Sequence, residues 1–213
     1  MSLPTKHRSR VLNSGEMVLW TIQTREAVRL LEKNGTLVTA TQKADADFRS
    51  SYEWMASQMR HRIGAPLDKA TLPLWAWHTW QDDSPRPDLR CNGHLPRGER
   101  AARIEFAVAP SNVLLSDFML WHHVLGYWYL AKSAKDEREF FLALREHGLE
   151  SCRTRPLPNR VLDDRLKASW VRIFELGQMF TKEGNARAVR SIQATLWALP
   201  LESVKKIEWF TAR

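Results

Sequence analysis

The sequence predicts an α+β fold: a single domain over residues 17–213 in which a split mixed or antiparallel sheet is flanked by helices. Three observations carry this. Short β-prone runs stand near both ends and in the middle: VLWTIQ at 18–23, RIEFAV at 103–108 and IQATLW at 192–197. Between them, apolar residues recur at helical spacing behind capping residues, at irregular intervals along the chain. No internal repeat or linker divides the 213 residues, a length that suits one sizeable core.

Residues 1–16, opening MSLPTKHRSR, read as a mobile basic tail without the apolar stretch of a secretory signal. Val18–Gln23 is the first strand. Thr24 then caps a helix from Arg25, with Ala27, Leu30 and Leu31 inward and Gly35 closing it. Thr36–Ala40 is a second short strand. Asp45 or Asp47 opens a longer helix striped by Phe48, Tyr52, Met55, Met59 and Ile63, which Gly64 and Pro66 end. Leu72–Trp80, LPLWAWHTW, carries bulky residues on both faces and predicts a strand buried on both sides.

Residues 81–101 hold three prolines and two glycines and predict a long surface loop. The chain is organised around the stretch that follows, Arg103–Ala131. Its first residues alternate, Ile104, Phe106 and Val108 against Arg103, Glu105 and Ala107, as a half-buried strand does. After a turn at Pro110–Asn112, Ser116 or Asp117 caps a helix with Phe118, Trp121, Leu125 and Trp128 or Tyr129 at helical spacing. Asp136 opens a helix through Phe140, Phe141 and Leu144 to Gly148. Asp163 or Asp164 caps another, with Leu166, Trp170, Ile173 and Phe174 inward. Gly184 and Asn185 mark a turn. Ile192–Trp197 is a strand, Pro200 a helical turn and Lys206–Thr211 the last strand.

Composition narrows the classes of function. At 44% hydrophobic and 26% charged, the chain is neither collagenous, nor a disulfide scaffold, nor wholly disordered. A net charge of +8 favours acidic partners, nucleic acid or an anionic cofactor, although no run of five basic residues concentrates it. Ten tryptophans against three tyrosines imply a Trp-rich core, a pocket that stacks a flat ligand, or both. Cys91 and Cys152 allow at most one bridge, as expected of a cytoplasmic protein. The longest apolar run, Val113–Ala131, is broken by Asp117, His122 and His123 and predicts a buried helix rather than a membrane span.

The common catalytic signatures are missing: no phosphate-binding glycine loop, no GxSxG elbow and no HExxH. Cys91 and His94 form half of a zinc site that lacks its other half, so no metal is expected. His122 and His123, adjacent on a helix, point about 100° apart and cannot chelate one ion. An inward His122 reads as a hydrogen-bonded core histidine or a catalytic one. Asp117 reads as a helix cap or as a carboxylate at a pocket mouth.

Several blocks carry a resemblance. WTIQ at 20–23, W-x-W at 75–77, LLSDFMLWHHVLGYWYL at 114–130, SWVRIFEL at 169–176 and IQATLWALPLESVKKIEWF at 192–210 resemble a bacterial domain-of-unknown-function family. The order of elements is also similar to that of ADP-ribosyltransferases of the DNA-targeting toxin type. There a first strand bearing a polar residue leads into a helix ending in glycine, as VLWTIQ leads into TREAVRLLEKNG. A middle strand resembles RIEFAVAPSNVLL, and a glutamate opens the terminal strand-turn-strand that 193–210 resembles.

That resemblance implies an ADP-ribosyltransferase-like fold and the use of NAD to modify a macromolecule such as nucleic acid. It also implies a toxin-like role, with an antitoxin or regulatory protein as partner. Gln193 stands where the glutamate is expected, and Thr21 and Gln23 stand where arginine or histidine is usual. Gln193 and Asp117 are then the expected catalytic pair. Thr21, Gln23, Trp20, Trp75, Trp77, Trp121 and His122 are the expected cofactor-binding set. A glutamine can hold a ribose hydroxyl but brings no charge to an oxocarbenium-like state. The alternative is therefore a non-catalytic nucleotide- or RNA-binding regulatory module.

Overall fold

The structure is a computed structural model, and it describes residues 15–40, 46–68, 71–81, 84, 86–176, 178–180, 186–188 and 191–213. The tail to residue 14 and the turn expected at Gly184–Asn185 lie outside the described residues.

Strand β1 (Met17–Thr24) leads directly into helix α1 (Arg25–Asn34). Thr24 caps the helix by accepting from Ala27 N, and Gly35 ends it at φ 69°, a left-handed conformation that glycine adopts without strain. Val28 and Leu31 are its buried residues, with Ala27 and Leu30 half-buried beside them. The segment expected as one strand at 36–40 is two, β2 (Thr36–Leu37) and β3 (Thr39–Ala40). They pair separately, with β11 (Leu199–Pro200) and β4 (Thr71–Leu72). Helix α2 (Arg49–Ile63) buries Met55, Ala56 and Met59.

Strand β5 (Leu74–Thr79) follows, then the loop, then β6 (Arg100–Val108), β7 (Leu114–Asp117) and α3 (Phe118–Gly126). Asp117 caps α3, Oδ1 accepting from Met119 N (2.8 Å) and Leu120 N (3.1 Å). The helix stops at Gly126, shorter than its spacing predicted, because Tyr127 turns left-handed at φ 57°. Trp128 and Tyr129 thus leave the helical stripe. Helix α4 (Ala134–Glu146) is capped by Ser133, and α5 (Arg160–Ser169) by Asn159 rather than by Asp163 or Asp164. Strands β8 (Gln178–Phe180) and β9 (Ala186–Ala188) pair with each other. Strands β10 (Ile192–Leu196) and β12 (Val204–Thr211) complete the set.

Six strands form the central sheet in the order β12-β6-β1-β5-β10-β7. Every pair in it is antiparallel, so no mixed pairing occurs within it. One face packs on α1 through Leu19, Leu74, Ile104, Phe106 and Leu196. Toward β7 the other face packs on α2, α3 and α5 through Met55, Leu114, Trp121, Leu166 and Ile192. Toward β6 the long loop covers it: the Arg103 guanidinium donates to the Pro87 carbonyl and to Glu208 Oε2 (2.7 Å). That cover corrects the expectation of a half-buried β6, since Arg103 and Ala107 are buried along with Ile104. Glu208, partly exposed, holds the Arg103 guanidinium from β12.

A polar knot ties the helical layer together. Buried Asp163 accepts from Tyr127 Oη (2.6 Å), Leu157 N (2.8 Å) and Lys167 Nζ (2.7 Å). Burial, and then the bond to Asp163, raise the Tyr127 phenol well above its ordinary pKa. Burial would raise Asp163 too, but the bonds from Lys167, Tyr127 and Leu157 outweigh it and lower the carboxyl below its ordinary value. A lowered carboxyl adds stability above its unfolded pKa, about 4, and loses it as pH falls through the folded value. Asp163→Asn is therefore expected to melt earlier than wild type at pH 7 and to lose less on acidification below about pH 4. Melting curves from pH 7 to pH 2 check this; parallel acid limbs would refute it.

Candidate functional site

Residues opposite one another in antiparallel strands point to the same face. One line of such partners crosses the sheet: Ser116 on β7, Gln193 on β10, Trp77 on β5, Trp20 on β1, Glu105 on β6 and Lys206 on β12. This row lies on the face shared by the helical layer and the loop, at the seam between them. Three of its members, Gln193, Trp77 and Trp20, were expected site residues, and the structure lines them up on three neighbouring strands.

Gln193 is 4% exposed and Ser116 0%. Gln193 Nε2 and Ser116 Oγ are buried with no hydrogen-bond partner among the described residues. Each unsatisfied buried polar group costs about 1–3 kcal/mol, so two set side by side mark a place built for something other than stability. Further along the row, Trp20 Nε1 donates to Glu105 Oε2 (3.1 Å). Glu105 is half-buried and supplies the row's carboxylate.

Aromatic rings run outward from the row. Trp77 meets Trp80 at 4.5 Å and Phe118 at 4.8 Å between centroids; Phe118 meets His122 at 4.8 Å, and Trp80 meets His94 at 5.3 Å. The rings of Trp77, Trp80 and Phe118 are half-buried. Rings of this kind, belonging to β5, the loop and α3, offer edges and faces to a flat ligand.

Other expected site residues go elsewhere. Thr21 and Gln23 alternate with Trp20, so their side chains lie on the α1 face, opposite the row. There Thr21 Oγ1 donates to the Trp75 carbonyl (2.8 Å) and accepts from Gln23 Nε2 (2.8 Å). Convergence of Thr21 and Gln23 on Gln193 is corrected by that parity. Trp75 and Trp121 pack on each other at 4.8 Å and on Tyr52, in the helical core rather than against Trp77. His122, expected inward, is exposed on α3 with Nδ1 against the Phe118 carbonyl (3.0 Å). Asp117, 1% exposed, spends Oδ1 on the cap.

Ser116, Glu105 and Phe118 were missed as site residues. Ser116 hid inside a reading of the 116–117 pair as a cap. Glu105 hid on the side of β6 expected to face solvent. Among the described residues no three His, Cys, Asp or Glu side chains group as metal ligands, and His94 Nε2 bonds the Asp88 carbonyl (2.8 Å). A separate cavity of about 520 Å³ opens between α3 and α4, walled by His123, Tyr127, Trp128, Phe140 and Leu144; no expected site residue lines it. No helix among the described residues is long and apolar enough to cross a membrane.

A family model described as a domain of unknown function, DUF3841, matches residues 18–205. No curated protein and no solved structure matches the chain.

Proposed function

We propose that this chain, which belongs to the family of the domain of unknown function DUF3841, is an ADP-ribosyltransferase-like protein that uses NAD to modify a macromolecule. One observation carries the reading: Gln193, in place of the glutamate the resemblance leads one to expect, lies buried in register with Trp77 and Trp20, its Nε2 without a hydrogen-bond partner among the described residues. In such a transfer the bond from ribose C1′ to nicotinamide breaks. Nicotinamide leaves with the bonding electrons, and a nucleophile of the acceptor bonds C1′ and releases its proton. On this reading Gln193 holds a ribose hydroxyl through Oε1, which leaves Nε2 for the ring's substituent, and Trp77 with Phe118 stacks the nicotinamide ring, a contact worth roughly 1–3 kcal/mol. The negative charge first expected of Asp117 is carried on this row by Glu105, three strands from Gln193. A nucleic-acid acceptor agrees with the net charge of +8.

The neutral amide of Gln193 favours a second reading, a nucleotide- or RNA-binding regulatory module without catalysis. One experiment separates the two readings. With NAD at millimolar concentration, the first expects a raised melting temperature and release of nicotinamide when nucleic acid or lysate is present. The second expects salt-sensitive binding of single-stranded RNA and no nicotinamide. If NAD neither shifts the melting curve nor is consumed, the transferase reading fails.

A further inference from the structure

We infer that Ser116 is a specificity-determining residue: with Gln193 it forms a neutral subsite that takes one uncharged polar group of a flat ring, a carboxamide, and rejects a carboxylate. The inference deepens the reading of the row as an NAD site and rests on it for the identity of the full ligand.

Ser116 and Gln193 are register partners on adjacent antiparallel strands, so their β-carbons stand roughly 5 Å apart on one face. Ser116 Oγ can donate or accept, and Gln193 Nε2 donates. Both atoms are buried and neither has a hydrogen-bond partner among the described residues. Together they match a carboxamide, whose oxygen accepts and whose nitrogen donates. The ring attached to it lies along Trp77 and Phe118, whose centroids are 4.8 Å apart.

The surroundings are wrong for an anion. The start of α3 has its N–H groups already spent: Phe118 N is bonded to the Ser191 carbonyl (3.1 Å), and Met119 N and Leu120 N to Asp117. Asp117 spends Oδ1 on that cap, and the row's carboxylate, Glu105, stands four strands from Ser116. The row's cation, Lys206, stands on the opposite edge strand of the sheet, on β12. Along the row a ligand carboxylate would therefore be desolvated with no cation beside it, and the N–H groups at the start of α3 are taken.

The test titrates purified full-length protein with nicotinamide, nicotinate and NAD, as wild type, Ser116→Ala and Gln193→Met, and records each melting temperature without ligand. Wild type is expected to bind nicotinamide at least about tenfold more tightly than nicotinate. Ser116→Ala should lose about tenfold in nicotinamide affinity and leave nicotinate unchanged, the effect of one lost hydrogen bond in a buried site. Its melting temperature without ligand should be equal to or above that of wild type, because an unsatisfied hydroxyl has gone. Gln193→Met should behave in the same way and keeps the test decisive if Ser116→Ala folds poorly. A lowered melting temperature with unchanged discrimination would make the hydroxyl structural and overturn the inference. Equal binding of the two rings by wild type would also overturn it. Wild type that neither binds nor consumes NAD, yet prefers nicotinamide in a Ser116-dependent way, would sink the NAD reading and leave the amide subsite standing.

Discussion

Gln193→Ala is expected to lower the rate of nicotinamide release from NAD by about a hundredfold or more, while the protein stays folded. Removing one well-placed polar group from a charge-developing site commonly costs about that much in rate. The side chain is buried and its Nε2 has no hydrogen-bond partner among the described residues; on the proposed reading, what its removal takes away is contact with the ligand. Some stability is lost through the space left behind, and some is returned because a buried unsatisfied donor has gone. If expression of the wild-type chain arrests growth, the same substitution should relieve the arrest. Single-turnover assays with NAD, alongside melting curves, measure both parts. A Gln193→Ala variant as fast as wild type would remove Gln193 from the site, and with it the functional meaning of the row.

Trp170→Ala should give the largest loss of stability of any single change in the helical layer, about 3–5 kcal/mol. Trp170 is fully buried where α5 passes into a 3-10 turn. Its ring meets Trp54 edge-on at 5.4 Å and Tyr127 at 5.1 Å, and its Nε1 donates to the Trp128 carbonyl (2.8 Å). Alanine leaves a cavity bounded by two aromatic rings that cannot collapse into it, and it leaves a carbonyl without its donor. For a chain of this size the melting temperature should fall by roughly 10 °C. A drop of only a degree or two would show that the rings repack. Trp170→Phe, which keeps most of the volume but not the N–H, separates the packing share from the hydrogen bond.

Local chemistry was legible wherever a single segment decides the outcome. Thr24 and Gly35 bracket α1 as their side chain and backbone freedom require, and Asp117 caps α3 because its short carboxylate reaches two N–H groups at once. At α5 two capping residues compete. Asp163 is a good capping residue, but Asn159 lies one helical turn earlier and takes the cap, which leaves Asp163 to bind Tyr127 and Lys167 in the core. The end of α3 was misread because nothing local stops it: the apolar spacing continues through Trp128, and Tyr127 bends the chain to reach Asp163.

For the candidate row, the sequence by itself determined that Gln193, Trp77 and Trp20 lie on strands. It could not say which side chains share a face. Alternation has a period of two, so a one-residue error in register exchanges the faces wholesale. The pairing that settles it joins β10 to β5 and β7, elements far apart along the chain. Tertiary structure alone therefore sent Thr21 and Gln23 to α1, brought Ser116 and Glu105 into the row, and folded the long loop over Arg103. Those choices follow from which surfaces the helices and the loop must cover, and that is a property of the assembled sheet rather than of any stretch of chain.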